Sequence, residues 1–317
     1  SERLYWIWYW LAAVLWRLKE DYPQYCTLPH AVSFCLNKNP MDIASFISQN
    51  IYSRQIGQPL IDSLDSTDQV TGVKASLSLP LTDLSVPTLF WIMRGNEVDM
   101  DLNNPEYPSL ICVMNDPNSD RANAPFISVI VSSIIDSMKM RNMLPSYLLL
   151  DEATSFFLDG FSQIPAQMRS YNIATVFSTQ DMSLSVERYG KQATSSILAN
   201  LSYQVIGKAN DPESIRYYKS ISSEVEKKTV SKSFTDGLVK GDTRTSEGTR
   251  ETSKFKNQDF SGLGQGDFYL FADGKESFRK LGLVPFEREE LKQKYFINDY
   301  DIMENYKRII SEALSIQ

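Results

Sequence analysis

The chain has 317 residues, of which 42% are hydrophobic and 22% are charged, a composition that excludes a disordered, collagen-like or disulfide-scaffold protein. Its formal net charge of −7 argues against a surface that binds polyanions as a whole, so any nucleic-acid contact requires a local basic patch. Three widely spaced cysteines and a single histidine, His30, argue against a zinc site or a histidine-based triad and indicate reduced thiols in a cytosolic compartment.

Residues 1–87 are predicted to form a mostly helical region. The segment Leu4–Glu20 is apolar nearly all round, which favours a buried core helix. Its most apolar part, Leu4–Trp16, would span roughly 20 Å as a helix, whereas a bilayer core is about 30 Å thick, so a truncated membrane segment or an interfacial helix is the weaker alternative. Leu28–Leu36 and Pro40–Asn50 are predicted helices, and Ile56–Leu81 is weakly helical at best.

From residue 88 onward, short apolar runs alternate with amphipathic helices. The predicted strands are Thr88–Met93, Leu110–Met114, Tyr147–Leu150, Ile173–Phe177 and Tyr203–Ile206. The predicted helices are Pro125–Met138, Ile164–Ser170, Ser185–Leu201 and Pro212–Ser222. This alternation predicts an α/β domain over residues 88–317, with a mostly parallel sheet covered by helices on both faces.

The segment 224–258 differs from the rest, because it is rich in Ser, Thr, Lys and Glu and poor in large aliphatic residues. Eight Lys or Arg against five acids between Glu226 and Lys256 give it a local charge of +3. It is predicted to be a mobile surface loop, or alternatively a flexible arm that contacts an anionic partner. Gly266–Ala272 and Leu281–Pro285 are predicted strands, and Tyr300–Leu314 is predicted to form the last helix.

Two adjacent acids, Asp151 and Glu152, follow the buried run Tyr147–Leu150. The carboxyl end of a strand is where ligands bind in open α/β sheets, and in phosphate-loop nucleotide hydrolases the first such acid holds magnesium, usually through water. The following acid can act as general base toward the attacking water. The alternative is an acid that merely caps the next helix.

Gln180 follows the next predicted strand and lies one βαβ step after Asp151, so it is expected at the same sheet edge. An amide there can contact a terminal phosphate and its attacking water, although a helix-start or turn role is the alternative. Arg169, before that strand, is a candidate arginine finger for a neighbouring protomer's nucleotide, or else a surface salt bridge or groove contact. The sequence contains no Gly-x-x-x-x-Gly-Lys-Ser/Thr, the loop that cradles phosphates.

These motifs resemble the TraG/TraD-like coupling ATPases of conjugation and type IV secretion, most closely the Bacteroides-type conjugative-transposon TraG proteins. The resemblance covers roughly residues 88–222 and rests on three long strings. They are LFWIMRGNEVDMDLNNPEYPSLICVMNDP, YLLLDEATSFFLDGFSQIPAQMRSYNIATVFSTQDMS and ERYGKQATSSILANLSYQVIGKANDPESIRYYKSIS. Residues 1–87 resemble part of the family's inserted all-α domain and its flanking helix.

The resemblance implies a RecA-like motor that assembles as a hexamer at the cytoplasmic face of the bacterial inner membrane. Such a motor couples ATP hydrolysis to the transfer of single-stranded DNA and its attached relaxase into the secretion channel. It implies that Asp151 belongs to the magnesium site, that Glu152 is the catalytic acid, that Gln180 lies in the glutamine motif, and that Arg169 reaches the neighbouring active site.

Members of this family carry a phosphate loop and an N-terminal membrane anchor, and this sequence contains neither. We expect a C-terminal piece that begins after the phosphate loop, binds ATP poorly by itself and holds no cofactor tightly. Two alternatives remain open: a non-catalytic module that docks the relaxosome or DNA, and a DNA-translocating ATPase of the segregation or packaging type. Lys227, Lys228 and Lys232 are the candidate DNA contacts.

Overall fold

The computed structural model describes residues 2–63, 75, 78–234, 243–282, 285 and 298–317. The chain forms two compact units. The helical unit comprises Ser1–Leu102, Leu110–Ser137 and Glu290–Gln317, and the sheet unit comprises Asn103–Ser109 and Met138–Glu289. The functional domain boundary expected near residue 87 stays a prediction.

In the helical unit, several helices begin at residues that favour a helix start, namely a capping side chain or a proline in the first turn. Proline occupies the first turn of α2 and α3, where its missing N–H costs nothing. The side chains of Thr27 and Asn39 cap these two helices, and that of Asn298 caps the last one. The helices are α1 (Glu2–Asp21), α2 (Leu28–Asn37), α3 (Pro40–Ser48), α4 (Ile51–Ser63), α5 (residues 78–84), α6 (Pro87–Ile92), α7 (Asp120–Met138) and α13 (Asp299–Ser315).

The core of this unit confirms α1 as a core helix, although only one face of its described part is buried, and Tyr9 and Trp16 on the other face are exposed. Trp10, Val14 and Leu18 are at most 1% exposed, and Ile309 of α13 joins the same cluster. His30 Nε2 lies 2.9 Å from a carboxylate oxygen of Glu312, which ties α2 to α13. Among the described residues, no helix combines the length and the apolar character needed to cross a bilayer.

Two predicted strands of this unit are wrong. Thr88–Met93 lies mostly in α6, because Pro87 starts a helical turn that buries Leu89 and Phe90. Leu110–Met114 is irregular, and no β-ladder among the described residues includes it. The segment Ile56–Leu81, predicted to be weakly helical at best, contributes to α4 and α5, and its central part lies outside the described residues.

The sheet unit contains the predicted parallel strand pair, but Tyr147–Leu150 is not the buried run expected, because Tyr147, Leu149 and Val176 leave one face of the pair exposed. Strands β1 (Ser146–Leu150) and β2 (Ile173–Phe177) pair in parallel, with Leu150 opposite Phe177. The helix α8 (Ile164–Arg169) connects them. The predicted helix Ser185–Leu201 is divided into α9 (Met182–Tyr189) and α10 (Lys191–Ala199), because Gly190 adopts a φ of +83° that breaks the helix.

Antiparallel strands complete this unit. The strand β3 (Gln204–Ile206) pairs with β6 (Asp267–Ala272), which also pairs with β7 (Lys275–Lys280). Helices α11 (Pro212–Ile221) and α12 (Asn257–Ser261) belong to the same unit, and the buried ring of Phe260 packs near Ile206 and Phe271. The predicted strand Leu281–Pro285 lies partly outside the described residues, and its first two residues are irregular.

The prediction that residues 224–258 form a loop is wrong. Most of this segment forms an antiparallel hairpin of β4 (Glu224–Phe234) and β5 (Thr243–Ser253), whose eleven residue pairs run without interruption. Thr and Ser are tolerated in strands, so a segment without apolar alternation still forms a ladder. The residues between the two strands lie outside the described part of the chain.

Candidate functional site

The candidate site lies where β1 and β2 end. The Ser178 N–H donates to the Leu150 carbonyl at 2.9 Å, and the Ala153 N–H donates to the Ser178 carbonyl at 2.9 Å. These two bonds extend the strand pairing past β1 and hold the two following turns side by side. The acids at 151 and 152 therefore lie beside the segment that leads to Gln180, at the carboxyl edge of the pair.

Glu152 and Gln180 are in direct contact. The Gln180 amide Nε2 donates to the Glu152 carboxylate Oε1 at 3.2 Å, and both side chains are exposed. The Glu152 N–H donates to Asp151 Oδ1 at 3.1 Å. The expected meeting of the second acid with the amide is therefore present, and both acids are accessible to a ligand.

Backbone strain marks the second acid. Glu152 has a φ of +47°, in the left-handed region that non-glycine residues seldom occupy. Such a conformation costs on the order of 1–3 kcal/mol and persists only where surrounding contacts impose it. Here the neighbouring contacts include the Ala153–Ser178 bond and the bond from the Ser155 N–H to the Glu152 carbonyl at 2.8 Å.

The capping alternatives do not describe these residues. The next helix after Asp151 and Glu152 is α8, which starts at Ile164, so neither acid caps it. The N-cap of α9 is Asp181, whose carboxylate accepts from the Leu184 N–H at 2.8 Å, and not Gln180. The three polar side chains at this edge are therefore free of a helix-capping role.

The turn that carries Gln180 is anchored from α11. The Met182 N–H donates to the Ser214 hydroxyl at 2.9 Å, and the Ser183 hydroxyl donates to the Asp211 carboxylate at 2.8 Å. Asp211 also caps α11, and the Ser214 backbone N–H is the main cause that holds the pKa of Asp211 below its ordinary value. These bonds fix the start of α9 and with it the position of the amide.

Two residues that the sequence did not single out hold the loop after the acids. Arg188 Nε donates to the Thr154 carbonyl at 2.8 Å, and the Tyr189 hydroxyl lies 3.2 Å from the Ala153 carbonyl and 3.3 Å from that of Phe156. Burial raises the pKa of the Tyr189 phenol, so at neutral pH it remains protonated and able to donate. In the sequence, the only sign of a role for Arg188 and Tyr189 is that both lie in the string beginning ERYGKQ, which contributes to the family resemblance.

Arg169 is not part of this arrangement. It ends α8, is exposed, and lies on the amino-terminal side of β2, whereas Gln180 follows the carboxyl end of that strand. A five-residue strand spans about 13 Å at ~3.3 Å per residue, so the structure does not bring Arg169 to the acids. A role toward a neighbouring protomer stays a prediction.

The three candidate DNA-binding lysines lie on β4. In the ladder, Lys227 is opposite Arg250, Lys228 is opposite Thr249 and Lys232 is opposite Thr245. The three lysines therefore belong to one strand of a regular two-stranded antiparallel ladder.

The donor set at the sheet edge fits magnesium. Two exposed carboxylates and an amide oxygen are hard ligands, and Mg²⁺ commonly uses one or two protein carboxylates while waters and substrate phosphates complete its shell. Within the described residues there is no cluster of three or more His, Cys, Asp or Glu that would suit a metal held by protein alone. The phosphate cradle is the part of a nucleotide site that this sequence does not supply.

Residues 145–260 match the family model described as the TraM recognition site of TraD and TraG. This match spans both acids, Gln180 and the hairpin. No curated protein sequence gives a match. Together with the structural matches below, the family model confirms the resemblance to TraG/TraD-like coupling proteins.

Several solved structures of the plasmid coupling protein TrwB share the fold. The unbound bacterial conjugative coupling protein TrwBΔN70 matches with a TM-score of 0.69 at 14% identity, covering 90% of this chain and 64% of that chain. TrwB with the non-hydrolysable ATP analogue ADPNP matches with a TM-score of 0.67 at 14% identity, covering 91% and 65%. TrwB with ADP and Mg²⁺ matches with a TM-score of 0.62 at 14% identity, covering 92% and 70%. The chain thus shares the fold of these TrwB structures, and it spans just under two thirds of the first two of them.

Proposed function

We propose that this chain is part of a conjugative coupling protein, a hexameric ATP-driven motor that recruits relaxase-bound single-stranded DNA and feeds it to a type IV secretion channel. The single observation that carries the proposal is the contact of Gln180 with Glu152 at the carboxyl edge of β1 and β2. The family match over residues 145–260 and the shared fold support it.

Each side chain at the edge has a proposed role in ATP hydrolysis. Asp151 holds the magnesium ion through water, and Glu152 accepts a proton from the attacking water. Gln180 orients that water and contacts the terminal phosphate, and its bond to Glu152 keeps both groups in place between turnovers. When bound, Mg²⁺ offsets the negative charge that develops on the phosphoryl oxygens.

The remaining parts of the motor are proposed to come from other chains or other parts of the intact protein. The phosphate cradle lies outside this sequence, and Arg169 acts on the nucleotide of the neighbouring protomer in the hexamer. The proposed partners that deliver the DNA are the relaxase and other relaxosome proteins. The components of the secretion channel are the proposed partners that receive it. We place the intact protein at the cytoplasmic face of the bacterial inner membrane.

The test is ATP hydrolysis by the intact protein with Glu152→Gln. We expect turnover to fall by about 10²–10⁴-fold, because general-base catalysis contributes that much, while nucleotide affinity changes little. The matched control is Glu187→Gln on the exposed face of α9, which should hydrolyse ATP at the wild-type rate. Wild-type turnover in Glu152→Gln would disprove the assignment of the base.

A non-catalytic docking module is the second candidate, because the matched family model describes a recognition site for TraM. In that case the sheet unit binds a relaxosome protein, and the acids have no chemical role. The same pair of variants separates the two functions. A docking module predicts equal hydrolysis by both variants and loss of partner binding only when the recognition surface is altered.

A further inference from the structure

The helix α11 lies between the turn of Gln180 and the base of the hairpin formed by β4 and β5. It begins at Pro212 and ends at Ile221, so it is about 15 Å long at ~1.5 Å per residue. Strand β4 begins shortly after it, at Glu224. One short helix therefore connects the segment that holds the amide in place with the segment that carries the hairpin.

The amino-terminal end of α11 holds the residues that follow Gln180. The fully buried Ser214 hydroxyl accepts from the Met182 N–H and donates to the Asp211 carboxylate, each at 2.9 Å. Asp211 also accepts from the Ser183 hydroxyl at 2.8 Å. Side chains of α11 or its cap therefore bind the second and third residues after the amide.

The middle of α11 is packed against the core of the sheet unit. Ile215 is buried in the cluster that contains Phe260, and the ring centroid of Tyr218 lies 5.4 Å from that of Phe260. The Tyr217 hydroxyl donates to Gln204 Oε1 at 2.9 Å. Because close-packed interiors transmit strain, a displacement at one end of this helix is carried to the other end.

The carboxyl-terminal end of α11 is tied to both strands of the hairpin at its base. The Ser222 hydroxyl lies 3.0 Å from that of Ser253, the last residue of β5. The Ser223 hydroxyl donates to the Glu276 carboxylate at 2.7 Å, and the Lys254 ammonium forms an ion pair with the same carboxylate. Glu276, on β7, therefore joins the segment that enters β4 to the segment that leaves β5.

Glu276 is charged at neutral pH although it is largely buried. Burial tends to raise its pKa, but the bonds from Lys254 and Ser223 together hold the pKa below its ordinary value. The carboxylate therefore accepts these bonds in its ionised form, and its removal leaves a hydroxyl and an ammonium group without this acceptor.

We infer that α11 couples the base of the hairpin to the position of Gln180, and that Asp211 and Ser214 are positioning residues for ATP hydrolysis. The inference rests on the proposed function, because it requires Gln180 to act in the reaction. It adds that the rate of hydrolysis depends on how the hairpin base is held. The effect is on kcat and not on nucleotide affinity, because these residues hold the amide, whereas the phosphate cradle holds the nucleotide.

The test is steady-state ATP hydrolysis by variants of the intact protein that are altered at either end of α11. Ser183→Ala removes one bond to Asp211 and leaves the helix cap, because the Ser214 N–H still donates to that carboxylate at 2.8 Å. Glu276→Ala removes the acceptor at the hairpin base. Its matched control is Asp267→Ala at the opposite end of the β6–β7 ladder, where a lysine also pairs with the carboxylate and the side chain is 18% exposed, against 12% for Glu276.

We expect Ser183→Ala and Glu276→Ala each to lower kcat by about 5–10-fold, the lower range for a hydrogen bond to a charged group and for coupling between sites. KM for ATP should change by less than about twofold. Ser183→Thr, which keeps the hydroxyl, and Asp267→Ala should retain the wild-type rate. In a Gln180→Ala background both losses should disappear, because the two variants act through the amide.

Three results would overturn the coupling. They are a wild-type kcat in Ser183→Ala or Glu276→Ala, equal losses in Glu276→Ala and Asp267→Ala, and losses of full size in the Gln180→Ala background. Thermal unfolding checks that each variant is folded. If Glu276→Ala does not fold, Lys254→Ala removes the ion pair from a half-exposed position and should lower kcat in the same way.

Glu152→Gln separates this inference from the proposed function. If Glu152→Gln stops hydrolysis while Ser183→Ala does not slow it, the motor assignment stands and the coupling fails. Wild-type turnover in Glu152→Gln or in Gln180→Ala would count against the proposed function and the coupling together.

Discussion

Tyr189 offers a test of how the loop after the two acids is held. Its hydroxyl lies 3.2 Å from the Ala153 carbonyl and 3.3 Å from the Phe156 carbonyl, and its ring stacks on Phe157 at 5.5 Å. Tyr189→Phe removes the donor and keeps the ring. The two carbonyls belong to residues that are 1% and 6% exposed, so water replaces the lost donor poorly.

The expected cost follows from these contacts. A neutral hydrogen bond contributes about 0.5–1.5 kcal/mol, and a buried acceptor left without a donor adds to that cost. We expect Tyr189→Phe to lower the free energy of unfolding by about 1–2 kcal/mol. The loop should also open locally more often, since Tyr189 and Arg188 both donate to its carbonyls.

Urea unfolding measures the global cost, and amide hydrogen exchange at residues 153–156 measures the local one. Tyr203→Phe is the matched control, because Tyr203 is 65% exposed and its hydroxyl is 3.5 Å from Asp273, so its loss should change stability by less than about 0.5 kcal/mol. Equal stability of the two variants, with unchanged exchange at the loop, would refute the role given to Tyr189.

Three further predictions concern other parts of the chain. The chain by itself should show no tight, magnesium-dependent ATP binding in calorimetry, because the phosphate cradle is absent from the sequence; tight binding with turnover would contradict this. Complete burial raises the pKa of the Cys35 thiol to about 12, so a thiol reagent at pH 8 should label exposed Cys112 in the folded chain and Cys35 only in urea; equal labelling rates would disprove the packing. Asp211→Ala removes a helix cap and should cost about 1 kcal/mol at pH 7. Because the Ser214 N–H lowers the folded-state pKa of Asp211, its contribution is present above the ordinary pKa and is lost as pH falls through the lowered value, so wild type and variant should converge in acid.

The sheet edge could be predicted from sequence because local patterns determine it. Ile173–Phe177 is five apolar or β-branched residues between polar ones, and the strand occupies that range without a shift. The spacing from Asp151 to Gln180 fits one βαβ step, so their closeness follows from topology. The φ of Glu152 and the contacts of Arg188 and Tyr189 depend on tertiary packing, to which no local pattern points.

The errors have equally specific causes. A six-residue apolar run such as Thr88–Met93 is compatible with a strand or a buried helix. Pro87 favours the helix because proline is well accommodated in a helix's first turn. Leu110–Met114 has strand-like composition, but a strand needs a ladder partner, and none of the described strands pairs with it. The hairpin was missed because neither of its strands shows an alternation of apolar and polar residues in the sequence.

The central claim is that Asp151, Glu152 and Gln180 face a metal-bound nucleotide, and metal-directed cleavage of the intact protein tests it most directly. With Fe²⁺ in place of Mg²⁺, ATP, ascorbate and peroxide, hydroxyl radicals cut the backbone close to the metal. The account predicts nucleotide-dependent cuts near residues 150–153 and 178–181, both lost in Asp151→Asn. Cuts confined to other segments, or cuts at these two segments that persist in Asp151→Asn, would contradict it.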